Sequence, residues 1–174
     1  MNRTGLTVPL ILLGAVALVA YLTLFTVEQT QQALVLEFGQ PKRVISDPGL
    51  HYKIPFIQNV EFLDKRILDI DTSSQEVIAS DQKRLVVDAF ARYRITDPLL
   101  FFQSVRDEAI ANSRLLAILE ASLRRVLGSA SFADVVRDQR EGLMRTIASQ
   151  VNQEASQFGV QIVDFRIKRV DLPA

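Results

Sequence analysis

From Leu6 to Val27 the chain reads LTVPLILLGAVALVAYLTLFTV, 22 residues without a charged side chain. As a helix rising about 1.5 Å per residue, the segment would reach roughly 33 Å, enough for a hydrocarbon core of about 30 Å. Thirteen of these residues are Leu, Ile, Val or Phe. Each favours insertion by roughly 0.3–0.6 kcal/mol at a helix centre, and no ion opposes them at about 3 kcal/mol. Pro9 stands near the start, where a missing N–H costs least. The expectation is a single transmembrane helix with span ends at Leu6 and Val27.

A cleaved signal peptide is the rival reading. Arg3 would be its basic region and Ala15-Val16-Ala17 its cleavage site. The apolar run continues ten residues past Ala17, which favours an uncleaved signal anchor. Arg3 precedes the span, and Glu28 and Glu37 come after it, ahead of Lys42 and Arg43. Basic residues stay in the cytoplasm, so residues 1–5 are expected inside and the main domain outside. In a bacterium that is the inner membrane, with a periplasmic head.

The length of chain beyond the span suits one ordinary domain or two very small ones. The 174 residues hold 20 Lys+Arg and 20 Asp+Glu, so no basic field recruits nucleic acid. The absence of Cys removes disulfides, thiolate nucleophiles and Cys-ligated zinc together.

Beyond the polar spacer Gln29–Gln32, Ala33–Phe38 reads as a strand closed by Gly39-Gln40-Pro41. Asp47-Pro48-Gly49 reads as a turn. His51–Ile54, Val60–Leu63 and Glu76–Ala79 read as short strands, with a polar stretch at Asp69–Gln75 and a hairpin loop at Ser80–Lys83. The clearest strand is Arg84–Ile95, with Leu85, Val87, Ala89, Ala91, Tyr93 and Ile95 on one face. Then the period changes. Asp97-Pro98 is an N-cap with proline in the first turn of a short helix. Glu108–Leu127 carries Leu115, Leu116, Leu119, Leu123 and Val126 on one stripe, with Gly128 as its stop. Ser131 and Asp134 resemble a capping box. Leu143, Ile147, Val151 and Phe158 continue an apolar stripe to Gly159, and Val160–Val170 returns to strand. Strands, then helices, then a strand describe an α+β domain.

Four segments in this order resemble one family: EQTQQALVLEFGQ (Glu28–Gln40), DPGLHYKIPFIQNVEFLDKR (Asp47–Arg66), SDQKRLVVDAFARYRITDP (Ser80–Pro98) and FGVQIVDFRIKRVDLP (Phe158–Pro173). It is the SPFH, or prohibitin/stomatin/band 7, family. The resemblance implies a transmembrane helix followed by a band 7 domain over residues 28–174, with antiparallel strands and packed helices. It also implies a membrane scaffold that joins a sister subunit of the HflK type in a hetero-oligomeric ring or cage. That assembly would restrict substrate access to an FtsH-type ATP-dependent membrane protease. Two other readings are a lipid-organising scaffold without a protease partner and a protease subunit with a cryptic Ser-Lys dyad. Family members continue into a long Ala/Glu/Arg-rich helix, which this sequence does not include.

Catalytic constellations are thin. His51 is the only histidine, and no G-x-S-x-G elbow is present. Ser80 near Lys83 is the nearest Ser-Lys pair but reads as a solvated turn. Asp69 and Asp71 could sit about 7 Å apart, yet stand without a second cluster. The expectation is no enzyme, no cofactor and no metal.

Interaction surfaces offer more. Leu50, Tyr52, Ile54, Phe56 and Ile57 are unusually apolar for a turn-rich segment. One reading buries Leu50, Ile54 and Phe56 in a core. The other rests all five on the lipid surface beside the anchor. Charges of both signs interleave along the helical half, among them Arg137 and Asp138. A solvated face accounts for them, and Arg114, Glu120, Arg124 and Arg125 are the alternative candidates for a subunit interface.

Overall fold

The computed structural model describes residues 4–135 and 139–171, without the side chains of residues 4–12 and Ala15. Arg137 and Asp138 lie outside the described residues, as does the side chain of Leu6. The chain divides into two compact units, Met1–Lys65 and Arg66–Ala174.

In the first unit, α1 (Thr4–Thr23) runs directly into β1 (Leu24–Val27). The helix therefore ends four residues short of the expected Val27. Local chemistry explains the stop. Thr23 Oγ1 donates back to the Val19 carbonyl at 2.6 Å. The Thr23 carbonyl accepts instead from the Lys53 N–H at 2.8 Å. Leu24–Val27 then pairs antiparallel with β4 (Gly49–Tyr52), Leu24 facing Tyr52 and Val27 facing Gly49. Val27 is buried in the unit's core with Ala33, Val35 and Ile45, so it is a packing residue, not a span end. Among the described residues, no helix is long and apolar enough to cross a membrane.

Three more strands form the adjoining sheet, in the order β3 (Gln40–Ile45), β2 (Gln31–Glu37), β5 (Gln58–Asp64). The middle strand β2 is buried from Gln32 to Leu36, as its continuous apolar run requires. Gly39-Gln40-Pro41, expected to close the strand, instead turns the chain back into β3. Being an edge strand, β3 tolerates Pro41 and exposes Lys42, Arg43 and Val44, so no alternation marks it.

In the second unit, β8 (Arg84–Ile95) is the spine of a four-stranded antiparallel sheet. β9 (Val160–Asp171) pairs with residues 86–95 of it. That overlaps both β6 (Leu68–Asp71) and β7 (Gln75–Ile78), so these two share the opposite side of β8, end to end. β6 falls in the stretch that reads as polar, because Asp69 and Asp71 occupy its solvent face while Ile70 is buried. Between β6 and β7 the ladder is completed by a side chain. Thr72 Oγ1 donates to the Ala89 carbonyl at 2.9 Å and accepts from the Ala89 N–H at 3.0 Å.

The expected inner face of β8 is buried throughout: Leu85, Val87, Ala89, Ala91, Tyr93 and Ile95. It packs on α3 (Glu108–Ser129) and α4 (Arg140–Ala155), through Leu119, Leu123, Leu127, Ile147 and Val151. Asp97 caps α2 (Pro98–Ser104) by accepting from the Leu100 N–H at 3.0 Å. α3 runs through the predicted stop at Gly128 to Ser129. Ser131 and Asp134 bond reciprocally, with Ser131 Oγ donating to Asp134 Oδ2 at 2.6 Å. Gly159 does reverse the chain, at φ 71°, and its carbonyl accepts from the N–H groups of Thr96 and Asp97. A Cβ there would stand 2.4 Å from the Asp97 carbonyl oxygen, so only glycine fits. The whole is α+β.

Candidate functional site, an apolar rim at the end of the first helix

The β1–β4 ribbon has two unlike faces. Phe25 and Val27 point inward; the Phe25 ring meets His51 at 6.0 Å and Phe62 at 6.3 Å between centroids. Leu24, Leu50 and Tyr52 are exposed. Their alternation comes from the two-residue period of a strand.

After Tyr52 the chain makes a tight loop, pinned by the Gln58 N–H on the Ile54 carbonyl and the Ile54 N–H on Gln58 Oε1. Its side chains Ile54, Phe56 and Ile57 all face solvent. The core reading of Leu50, Ile54 and Phe56 therefore fails. A loop this short points its residues away from the sheet, leaving nothing to cover them.

A further residue joins them. β2 and β5 end together at the pair Glu37–Gln58. The Phe38 N–H, one step beyond, reaches the Ile57 carbonyl at 3.4 Å. Phe38 is 82% exposed and Phe56 92% exposed. Both hold left-handed backbone, φ 51° and 68°. This conformation is unfavourable for a bulky residue and is kept where surroundings over-determine it. From the sequence, Phe38 reads only as a strand end. The signal for its role is a large aromatic before glycine at a hairpin tip, where a polar residue is usual.

The rim borders the end of α1. Lys53 bonds to Thr23 and Tyr52 faces Leu24, so the loop starts beside the last helical residue. Exposed apolar residues in such a group mark a surface for lipid or protein.

Catalytic geometry is lacking at the positions that the sequence offers. His51 Nε2 lies 2.9 Å from the Asp47 carbonyl. A carbonyl only accepts, so Nε2 carries the proton. Lys83 Nζ sits 3.4 Å from Asp81 and 5.1 Å from the Phe132 ring centroid, and no bond joins it to Ser80 among the described residues. Asp69 pairs with Arg92 at 3.0 Å and Asp71 with Lys168 at 2.6 Å, so the two carboxylates serve separate cations. No group of three metal-ligating side chains occurs among the described residues.

The interface candidates on α3 divide. Arg114 lies over the Phe158 ring at 5.7 Å, and Arg125 reaches Glu154 at 3.7 Å. Glu120 is half-buried, and Arg124 is exposed with no ion pair among the described residues.

Comparison with known proteins bears on most of the chain. The model of the SPFH domain / Band 7 family matches residues 25–174. HflC of Haemophilus influenzae is 29% identical over 169 residues, covering 91% of this chain and 57% of that protein. HflC of Buchnera aphidicola subsp. Schizaphis graminum is 27% identical over 171 residues, covering 86% and 56%. The Escherichia coli K12 protein named Modulator of FtsH protease HflC is 26% identical over 205 residues, covering 91% and 61%. The chain thus spans less than two thirds of the length of these relatives.

Proposed function

The chain belongs to the SPFH domain / Band 7 family, and from that premise we propose that it is a membrane-anchored, non-catalytic scaffold subunit. α1 holds it in the bacterial inner membrane, with the N-terminus cytoplasmic and the band 7 domain periplasmic. With an HflK-type sister subunit it builds a ring or cage that restricts substrate access to an FtsH-type protease. The relatives named HflC, one of them a modulator of that protease, support the assignment.

The observation that carries the membrane part is the apolar rim beside Thr23. No described helix meets the length and apolarity needed to cross a membrane, so the anchor rests on the uncharged sequence from Leu6 to Val27, whose side chains up to Leu12 lie outside the described residues. Where α1 ends, Leu24, Tyr52, Phe56 and Phe38 are exposed. Tyr is enriched at the lipid–water interface, and Phe and Leu bury at the headgroup–acyl boundary. Tethering in a plane raises the effective concentration of subunits, so weak lateral contacts suffice for assembly.

Purification of the chain in mild detergent, together with the sister subunit and the protease, tests the reading. Recovery of one large complex containing all three is expected. A complex that lacks the protease would assign the chain to lipid organisation without a protease partner. Labelling of the chain by a serine-reactive probe would contradict the non-catalytic role.

A further inference from the structure

Behind the rim, Val35, Lys42, Arg43, Tyr52, Ile54 and Gln58 line an open cleft of about 220 Å³.

Its charge is positive. Arg43 Nη2 donates to the Tyr52 carbonyl at 2.8 Å, and its guanidinium lies over the Tyr52 ring at 5.1 Å. Those contacts fix the fork without neutralising it, since no carboxylate pairs with Arg43 among the described residues. A guanidinium has five N–H donors in a planar array suited to phosphate oxygens, and one bond to a carbonyl leaves donors free. Lys42 stands beside it. The acid in reach is Glu37, 4.0 Å from Lys42 and held by Gln58 Nε2 at 3.1 Å. Lys42 and Glu37 offset each other, and Arg43 supplies the net charge.

The cleft is also placed for a lipid. Tyr52 faces Leu24, the first residue after α1, so the cations lie level with the helix end. The apolar wall continues from Ile54 to the exposed Phe56 and Ile57. A phosphate on Arg43 would leave hydrocarbon chains running along that wall. Inorganic phosphate would leave it bare.

We propose that this cleft binds the phosphate of an anionic phospholipid, Arg43 and Lys42 meeting the headgroup while Ile54, Phe56 and Ile57 meet the acyl chains. The proposal rests on the membrane reading above and adds a lipid preference to it. A basic side chain at an anionic surface contributes about a fivefold gain in binding.

The test uses the full chain in detergent, supplied with equal phosphatidylglycerol and phosphatidylcholine, with retained lipid counted by native mass spectrometry. Severalfold preference for phosphatidylglycerol is expected. Arg43→Gln combined with Lys42→Gln should abolish it, while Arg43→Lys should keep most of it, which separates charge from folding. Arg145→Gln, at an exposed position on α4, should leave the preference unchanged. Competition by millimolar inorganic phosphate that empties the site would show a free-phosphate site and overturn the lipid assignment. Separately, a Phe56→Trp chain in pure phosphatidylcholine reports on the rim. Lipid-like emission there with no effect of Arg43→Gln on headgroup preference overturns the cleft and leaves the membrane reading standing. Water-like emission removes both.

Discussion

Phe38 sits at the β2–β3 hairpin tip and Phe56 in the adjoining β4–β5 loop, both in left-handed backbone and both more than four-fifths exposed. The Phe38 N–H reaches the carbonyl of Ile57, the residue after Phe56. Two large aromatics in an unfavourable conformation, with almost no buried surface, contribute little to folding. Their placement makes sense where each ring gains about 2 kcal/mol by leaving water for lipid.

Phe56→Gly separates these roles. Glycine takes φ 68° without strain. Chemical unfolding in detergent should place the variant within about 1 kcal/mol of the parent, against about 3–5 kcal/mol lost when a buried Phe is truncated. Binding of the rim to bilayers should weaken. A large loss of stability would mean that Phe56 packs inside the protein.

Thr72 supplies the missing rung between β6 and β7. Thr72→Val keeps the shape and removes the hydroxyl, leaving the Ala89 N–H without its partner. The expected cost is about 1–3 kcal/mol, read as a lower unfolding midpoint with faster amide exchange at Ala89. Unchanged exchange at Ala89 would contradict the account of this junction.

The two adjacent arginines of α3 should behave differently. Arg124→Glu changes an exposed side chain and should leave stability within about 0.5 kcal/mol, while weakening assembly with a sister subunit. Arg125→Glu also sets two acids face to face at Glu154, and should cost a few tenths of a kcal/mol more. Native mass measurement of the complex and thermal unfolding together check the pair. Intact assembly with Arg124→Glu would remove this face from the interface.

The second unit is largely legible in the sequence, and the first is not. β8 alternates over its whole length because one face packs on helices and the other meets water. Asp97-Pro98 and Gly159 announce boundaries through backbone chemistry that few other residues satisfy. β1 is hidden because its four residues continue the composition of α1, and only pairing with β4 distinguishes them. β3 and β6 are hidden because edge strands carry polar residues on their open sides. Leu50, Tyr52, Ile54, Phe56 and Ile57 stand out in the sequence as a group, but apolar character alone does not separate a core from a lipid-facing surface. Phe38 and Arg43 join that region only through the register of β2, β3 and β4, which spacing along the chain does not reveal.

The central claim is that the rim lies in lipid at the end of α1. The chain contains no Trp, so a Phe56→Trp substitution gives a single emitter at the tip. Reconstituted in nanodiscs with lipids brominated at successive depths, it should emit at short wavelength and be quenched most by the shallowest bromines. Emission at the wavelength of a water-exposed indole, with no quenching at any depth, would contradict the account.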